Sequence, residues 1–301
     1  MGGPSAEHDI SLKTAEMVIR HLNKDKFTHI PVKIGRDGSW PMTIPELKEK
    51  ADIAFIAMHG NYGEDGQIQA TLATYGIRYT GSDPVASAIA MDKEKSMRIL
   101  KNRKIHVPDH YSVNKKDSLL KFKNTKKMRM PVVIKPSGSG SSMGVSIIND
   151  WKDLGKALGE AFRFSDSALI QKYITGKEVT CGVLHVNGTA IPLMPTEILP
   201  GKEQHFGYES KYAVGGSQEL TPPNLPKEII KLIQLTALDA HRAIGCSGMS
   251  RTDMIIDKDN RINVLEINTI PGLTETSLLP KGANAIGIRF PEILEHIINS
   301  A

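Results

Sequence analysis

The sequence predicts a mixed fold in three parts, an α/β unit followed by two α+β units. Three observations lead there. The chain has 301 residues, which suits two or three domains at ~100–150 residues each. Residues 1–82 alternate strand, helix and strand, the pattern of a parallel sheet. Beyond them, β-branched segments flank a glycine loop and later close a polar hairpin, so strands there run without a helix between each pair. The expected divisions are residues 1–82, 83–174 and 175–301.

The elements follow in order. Ser5 to Leu22 reads as a helix, with Ser5 as its cap and Ile10, Leu12, Ala15, Val18, Ile19 and Leu22 near helical spacing. Ile53 to Met58 is a continuous apolar run, as in a buried parallel strand, and it ends at His59-Gly60. Gln67 to Tyr75 reads as a helix and Ile77 to Thr80 as a strand. Gly2-Gly3 before a capped helix is what normally follows a first strand, yet only Met1 precedes it. This sheet is therefore expected to lack its first strand, or to have another segment in its place. Asp83 to Asn102 reads as one or two helices, with a new segment starting at Pro108. Val132–Lys135 and Val145–Ile148 are strands around the glycine loop, Trp151–Phe162 a helix, and Ala168–Tyr173 a strand. Glu178 to Ile191 holds two strands around Asn187-Gly188, a hairpin turn pair. Pro200 to Pro226 reads as a long polar loop, and loops of that length are usually functional or disordered. A helix over Pro226–Ile244 and strands over Met254–Ile256 and Ile262–Ile267 complete the reading.

Composition excludes several classes. No apolar run approaches the ~20 residues of a membrane helix, and no secretory signal opens the chain. The two cysteines, Cys181 and Cys246, sit in no motif, which reads as a reducing, cytoplasmic compartment. The net charge of +5 could suit nucleic acid, but the lysines are dispersed and aromatics make up only 5%, so no stacking platform accompanies them. The densest cluster, Lys121 to Arg129, reads as a solvated loop or helix end. A small anionic substrate accounts for the bias better than DNA.

Two constellations carry chemistry. The first is KPSGSGSSMG at Lys135–Gly144. A Walker A loop needs Lys then Ser or Thr after its last glycine, with a helix next; here Met143-Gly144-Val145 and a β-branched segment follow. A dinucleotide fingerprint also needs a helix, and the spacing of Gly138, Gly140 and Gly144 does not match it. What remains is strand, loop, strand: either a surface hairpin or a lid whose N–H groups and serines cover phosphates, with Lys135 reaching the phosphate oxygens. The second is RTDMIID…RINVLEINTIPG. Strand alternation puts Arg251 and Asp253 on one face, and Glu266 and Asn268 on one face of the next strand. Two carboxylates and an amide suit Mg²⁺ shared with phosphate oxygens, although a hairpin with a merely wet face would show the same alternation.

Together these residues resemble the ATP-grasp superfamily, and within it the D-alanine–D-alanine ligase family. The resemblance runs over nearly the whole chain: GGPSAEHDISL (Gly2–Leu12), HGNYGEDG (His59–Gly66), YTGSDPVASAIAMDK (Tyr79–Lys93), VIKPSGSGSSMG, YESKY (Tyr208–Tyr212) and LEINTIPGLTETSLLP (Leu265–Pro280). It implies an ATP-grasp fold with an N-terminal substrate-binding domain, a central lid domain and a C-terminal catalytic domain. It also implies a cytoplasmic enzyme that makes the dipeptide of a bacterial cell wall through an acyl phosphate and a tetrahedral intermediate. By resemblance, Lys93 and Lys135 hold ATP phosphates under a lid around Ser141 and Ser142. Asp253, Glu266 and Asn268 carry two Mg²⁺ ions, which Mn²⁺ could replace. Arg251 and the N–H of Gly272 stabilise the oxyanion. Glu7 binds the first D-alanine's ammonium, with His59 near its carboxylate, while Ser277, Leu278 and Lys211 receive the second carboxylate. Tyr212 closes over the site and links through Ser141 to Glu7. Gln171, Lys172, Tyr173 and Ile174 line the adenine pocket, and Glu178 holds the ribose. Gln171 stands where the family often has glutamate, which affects fine nucleotide contacts. Tyr212 favours the dipeptide over a D-alanine–D-lactate product; a D-alanine–D-serine variant and an ATP-binding protein without ligase activity are the alternatives. A homodimer is also implied by resemblance alone.

Overall fold

The structure, a computed structural model of the chain, describes residues 1–117, 128–140, 143–200, 217–274 and 276–301. In the N-terminal unit, helix α1 spans His8–His21, α2 Ile44–Lys50 and α3 Gln67–Thr74, with strands β1 (Ile53–Ala54) and β2 (Arg78–Tyr79) paired in parallel. Ser5 is not the cap of α1. Its hydroxyl donates to the His59 carbonyl (2.7 Å) and accepts from the Glu7 N–H (3.1 Å), so the helix begins three residues later. The apolar run Ile53–Met58 pairs only through its first two residues. Beyond them, the Ile56 N–H donates to the Thr80 hydroxyl (3.0 Å), a side chain standing where a ladder carbonyl would be. Ile56, Ala57 and Met58 are buried all the same.

Met1–Gly3 runs in parallel beside Val32–Ile34, with a bridge between Gly2 and Ile34. The Ile34 N–H donates to the Met1 carbonyl (3.0 Å) and the Gly3 N–H to the Ile34 carbonyl (2.9 Å). Gly2 and Gly3 sit at φ +81° and +95°. That is the left-handed region, where only glycine is comfortable. A Cβ on Gly2 would come within 2.6 Å of the Ile34 carbonyl, and one on Gly3 would overlap the Met58 side chain.

Residues 83–102 form two helices, α4 (Pro84–Met91) capped by Asp83 and α5 (Lys93–Asn102) capped by Asp92. A four-stranded antiparallel sheet follows, built from β3 (His110–Asn114), β4 (Val132–Pro136), β5 (Ser146–Ile148) and β6 (Ser167–Lys172) in the order β3-β6-β4-β5. Strand β3 is absent from the sequence reading. Helix α6 is shorter than expected, Leu154–Ala161 after a 3₁₀ turn, and it packs Ala157, Leu158 and Ala161 against Val132, Ile134 and Ile170.

The third region carries a larger sheet: β7 (Gly176–Val186), β8 (Thr189–Pro192), β9 (Thr196–Pro200), β10 (Ser217–Leu220), β11 (Met249–Asp257) and β12 (Ile262–Asn268). Its order is β10-β9-β7-β11-β12, with β8 also on β7. Asn187 and Gly188, both at positive φ, make the expected tight turn between β7 and β8. The stretch Pro200–Pro226 is not loop throughout, because β9 and β10 pair antiparallel at its ends; residues 201–216 lie outside the described residues, as does most of the Lys121–Arg129 cluster. Helix α7 (Lys227–Ile244) buries Ile233, Ala237 and Ala240 on one face of this sheet, in a cluster that also takes Ala86, Ala90 and Leu100. On the other face lie α8 (Leu278–Asn284) and α9 (Phe290–Asn299). There Leu184, Met249, Ile293 and Ile297 join Ile34, Met58 and Leu72 in a single core, which locks the N-terminal unit onto the large sheet. Fully burying each such side chain stabilises by ~1.5–3 kcal/mol.

Candidate active site

The glycine loop is the expected strand, loop, strand: β4 and β5 pair antiparallel, Val132 opposite Ile148 and Ile134 opposite Ser146. Its base is tied to α5. The Lys93 N–H donates to the Ser137 carbonyl (3.0 Å), and the Ser137 hydroxyl donates to Asp92 Oδ1 (3.0 Å). These bonds place Lys93, the first residue of α5, under the loop. Its Nζ donates to the Ser139 carbonyl (2.6 Å) and lies 3.3 Å from Glu266 Oε2. Lys135, near the end of β4, sends its Nζ to the Leu265 carbonyl of β12 (3.3 Å). Two buried lysines from separate elements thus converge on one opening. Ser141 and Ser142 lie outside the described residues.

That opening is a cavity of about 440 Å³ between the two sheets. Lys172, Tyr173, Ile174 and Glu178 line it, along with Asp253 and Glu266. Gln171 lines it too, but its amide is turned onto Met97 of α5, with Nε2 3.4 Å from the sulfur. The small sheet contributes apolar Val133 and Ile147 together with Lys135 and Lys172, whereas β11 and β12 contribute the carboxylates Asp253 and Glu266, so lysines suited to a polyanionic tail face carboxylates suited to a cation across one cavity.

The hairpin register brings the predicted residues together. Arg251 pairs with Asn268 and Asp253 with Glu266 across β11 and β12. Arg251 grips Asp253 with two parallel bonds, Nε to Oδ1 and Nη2 to Oδ2, both 2.9 Å. Thr180, opposite Asp253 on β7, adds a third from its hydroxyl to Oδ1 (2.7 Å). Asn268 Nδ2 is buried with no hydrogen-bond partner among the described residues. The Asp253 and Glu266 carboxylates and the Asn268 amide oxygen are hard-oxygen donors suited to Mg²⁺, while the unpartnered Nδ2 is an N–H donor that suits a phosphate or carboxylate oxygen. Among the described residues no three His, Cys, Asp or Glu gather in a metal-holding group. An ion here would therefore draw the rest of its coordination from water or bound phosphate oxygens.

A second group of the predicted residues lies beside α1. A methyl group built on Gly60 would fall 2.5 Å from Glu7 Oε2, and one on Gly140 3.4 Å from it, so the Glu7 carboxylate sits between the HGN turn and the glycine loop. His59 is buried, with Nε2 2.8 Å from the Thr14 hydroxyl and its N–H held by the Ser11 hydroxyl (2.9 Å). Burial pushes its pKa down to about 4, so the ring is neutral near pH 7. Glu64 was named only as part of a motif in the sequence. Its Oε2 accepts the Gly60 N–H (2.7 Å), and burial, reinforced by the Glu7 charge, pushes its pKa up to about 8. Gly272 abuts Ser277, whose Oγ would be 2.7 Å from a Cβ there. Ser277 Oγ also accepts the Thr274 N–H (3.0 Å), and Leu278 opens α8. Lys211 and Tyr212 lie outside the described residues, as does the expected Tyr212–Ser141 link to Glu7.

Comparison with known proteins decides the family. The profile for the D-ala D-ala ligase C-terminus matches residues 99–299, and that for the D-ala D-ala ligase N-terminus matches 1–48 and 41–82. The chain belongs to the D-alanine–D-alanine ligase family. A D-alanine–D-alanine ligase of Citrifermentans bemidjiense is 40% identical over 301 residues, covering 100% of this chain and 94% of the relative. One from Pelotomaculum thermopropionicum is 36% identical over 309 residues, at 100% and 95% coverage. Among solved structures, a Bacillus anthracis D-alanine–D-alanine ligase complexed with ATP is 34% identical, with a TM-score of 0.86 over 100% of this chain and 94% of that one. The VanG D-Ala:D-Ser ligase of Enterococcus faecalis is 29% identical, with a TM-score of 0.89 over 99% and 97%. The two sheets that enclose the cavity are thus the ATP-grasp of a D-alanine–D-alanine ligase fold.

Proposed function

We propose that the chain joins two D-alanines to D-alanyl-D-alanine, using ATP through an acyl phosphate, to supply a peptidoglycan precursor. The observation that carries this reading is the convergence of Lys93, Lys135, Asp253 and Glu266 on one cavity, in a chain matched over its whole length by ligases of that name. Lys93 and Lys135 hold the ATP phosphates, Gln171 to Ile174 the adenine, and Glu178 the ribose. Asp253, Glu266 and Asn268 would hold Mg²⁺, which, when bound, offsets phosphate charge. Glu7 takes the first D-alanine's ammonium. Neutral His59 packs beside its carboxylate without adding charge. Arg251, held planar against Asp253, and the Gly272 N–H face the oxyanion, where each donor is worth a few kcal/mol, roughly 10²–10³ in rate. Ser277, Leu278 and Lys211 take the second carboxylate. Ser141, Ser142 and Tyr212 close the site, which keeps water from the acyl phosphate. Residues 1–82, 83–174 and 175–301 act as the amino-acid, lid and catalytic domains of a cytoplasmic homodimer.

D-Alanine–D-serine ligation is the second reading, favoured by the TM-score of 0.89 to a D-Ala:D-Ser ligase. Phosphate release from Mg-ATP on separate addition of D-alanine, L-alanine, D-serine and D-lactate, with mass detection of products, tests both. D-alanine alone supporting release and giving its dimer is the expected result. A mixed product with D-serine at comparable rate moves the assignment to the second reading. ATP binding with no D-alanine-dependent release overturns both.

A further inference from the structure

Glu64 is an acid that the ligase reading leaves without a role, and it shares a neighbour with Glu7. The Gly60 N–H donates to Glu64 Oε2 (2.7 Å), and a Cβ on Gly60 would fall 2.5 Å from Glu7 Oε2. Gly60 sits at φ +73°, and a side chain there would press on Ser5 as well, so glycine is what lets both carboxylates flank this turn. Glu64 Oε1 takes part in no hydrogen bond among the described residues, and the residue keeps some exposed surface. The charged groups around it are engaged elsewhere. From β11, Arg251 grips Asp253 with two bonds; from α5, Lys93 donates to the Ser139 carbonyl and lies 3.3 Å from Glu266. His59, at the head of the turn, is neutral near pH 7. Asp65 accepts the N–H groups of Tyr62 and Gln67. Two carboxylates that share a site tend to keep one proton between them. Desolvation and the Glu7 charge outweigh the Arg251 and Lys93 charges at Glu64, whose pKa is pushed up to about 8. With Oε2 accepting an N–H, Oε1 is the oxygen that carries the proton.

We propose that Glu64 is a second carboxylate of the ammonium subsite, and that its proton leaves for solvent as the first amino acid's ammonium settles between it and Glu7, an assignment that rests on the ligase reading of Glu7. The exchange balances. The Glu64 O–H bond breaks and its proton goes to water; the ammonium keeps all three N–H bonds and donates one to Glu7 and one to Glu64 Oε1. The acid pair with its bound cation then carries the same net charge as the acid pair with its proton. A single carboxylate would leave an ammonium free to swivel, because the cation has three equivalent donors, whereas two acceptors fix its direction. Arg251, whose charge reaches both Glu64 and His59, marks the opposite, positive pole. Acid at one end and guanidinium at the other is the charge pattern of an α-amino acid zwitterion. Binding is therefore linked to pH. Below about 8 the proton must be expelled, so the KM for the first D-alanine falls as pH rises and levels off near 8.

The test counts protons. D-Alanine is titrated calorimetrically into the parent chain and into Glu64→Gln at pH 7, in phosphate and in Tris, whose different heats of protonation report the protons exchanged. The parent is expected to release about one proton more per D-alanine bound than the variant does. Any proton lost at the second amino acid's site is common to both chains and cancels. Equal counts overturn the proposal, and so does a parent that releases none, whether or not the variant folds. The pH profile is the second measurement: the parent's KM for D-alanine at limiting concentration is expected to fall roughly tenfold per unit from pH 6 to 8, Glu64→Asp to keep a slope, and Glu64→Gln to lose it. A merely structural role for Glu64 would raise KM equally at every pH, and that result overturns the proposal too. The ligase reading fails separately. Dipeptide formation with no proton difference removes this role of Glu64 alone, whereas a proton released on D-alanine binding with no dipeptide formed removes the ligase reading and leaves the subsite.

Discussion

At the scale of single residues, charge placement governs the site. Asp253 accepts three hydrogen bonds, from Arg251 twice and Thr180 once. Thr180→Val removes one bond to a buried carboxylate and is expected to cost about 1–3 kcal/mol, read as a lower urea midpoint. Asp253→Asn is expected to lower kcat by at least ~100-fold and to raise the Mg²⁺ concentration needed for half-maximal rate, and also to lower the urea midpoint, because the two-bond pair with Arg251 is broken. Glu64 sets a pH dependence of stability. Its folded pKa of about 8 lies above the ordinary carboxylate value of 4.5, so between those values the folded state holds a proton that unfolding releases. Its contribution is complete below pH 4.5 and is lost as pH rises through 8, with a slope of up to ~1.4 kcal/mol per pH unit. Glu64→Gln should flatten that decline between pH 5 and 8 in urea melts; an unaltered slope would show that Glu64 is ionised in the folded chain. His59 and His241 act at the other end. Burial lowers both from 6.5 to about 4, so their contribution is present above 6.5 and is lost as pH falls through 4.

At the scale of elements, Asp92 joins three jobs: it caps α5, accepts from Ser137 in the glycine loop, and positions Lys93 as the next residue. Asp92→Ala should cost ~1 kcal/mol as a lost cap and also raise the KM for ATP several-fold, whereas a cap elsewhere lowers stability alone. Thr43 is such a control. It forms a full capping box with Glu46 at the start of α2, so Thr43→Ala should lower the melting temperature and leave KM unchanged. That box, Thr-x-x-Glu before an apolar residue, was legible in the sequence and went unread. The shared faces of the β11–β12 hairpin were read correctly because period-two alternation fixes which side chains lie together, although β11 begins at Met249, five residues before the expected Met254. Ser5 misled because its residue type suits a cap, while the structure uses its hydroxyl to hold the His59 turn 54 positions away. The Thr180 contact had no local signal either, since it crosses between strands 73 positions apart. Strand β3 is short and three of its five residues are exposed, so it lacks the apolar run that marks a buried strand.

At the scale of the molecule, stability is expected to be uneven. The large sheet packs α7 on one face and α8 and α9 on the other, whereas the N-terminal sheet pairs two strands by two residues each beside an apolar cavity. Native-state hydrogen exchange should therefore find β7 and β11 slowest, and the amides of residues 53–58 exchanging by local opening well below the global unfolding free energy. Glu7 and His59 both stand on that weaker unit, so under the proposed assignment its rigidity bears on how well the first amino acid is held. Nearly all the candidate site was nameable from motifs, but the convergence of Lys93 and Lys135 beneath one loop, and the uncharged pair Glu64 and His59 behind Glu7, required the folded chain. The central claim is that this one cavity couples ATP to the joining of two D-alanines. The most direct measurement is phosphate release from Mg-ATP by the purified chain with D-alanine as sole amino acid, followed by mass detection. The account predicts stoichiometric phosphate and D-alanyl-D-alanine, both abolished by Lys135→Ala. Release that does not depend on D-alanine, or none while ATP still binds, would contradict it.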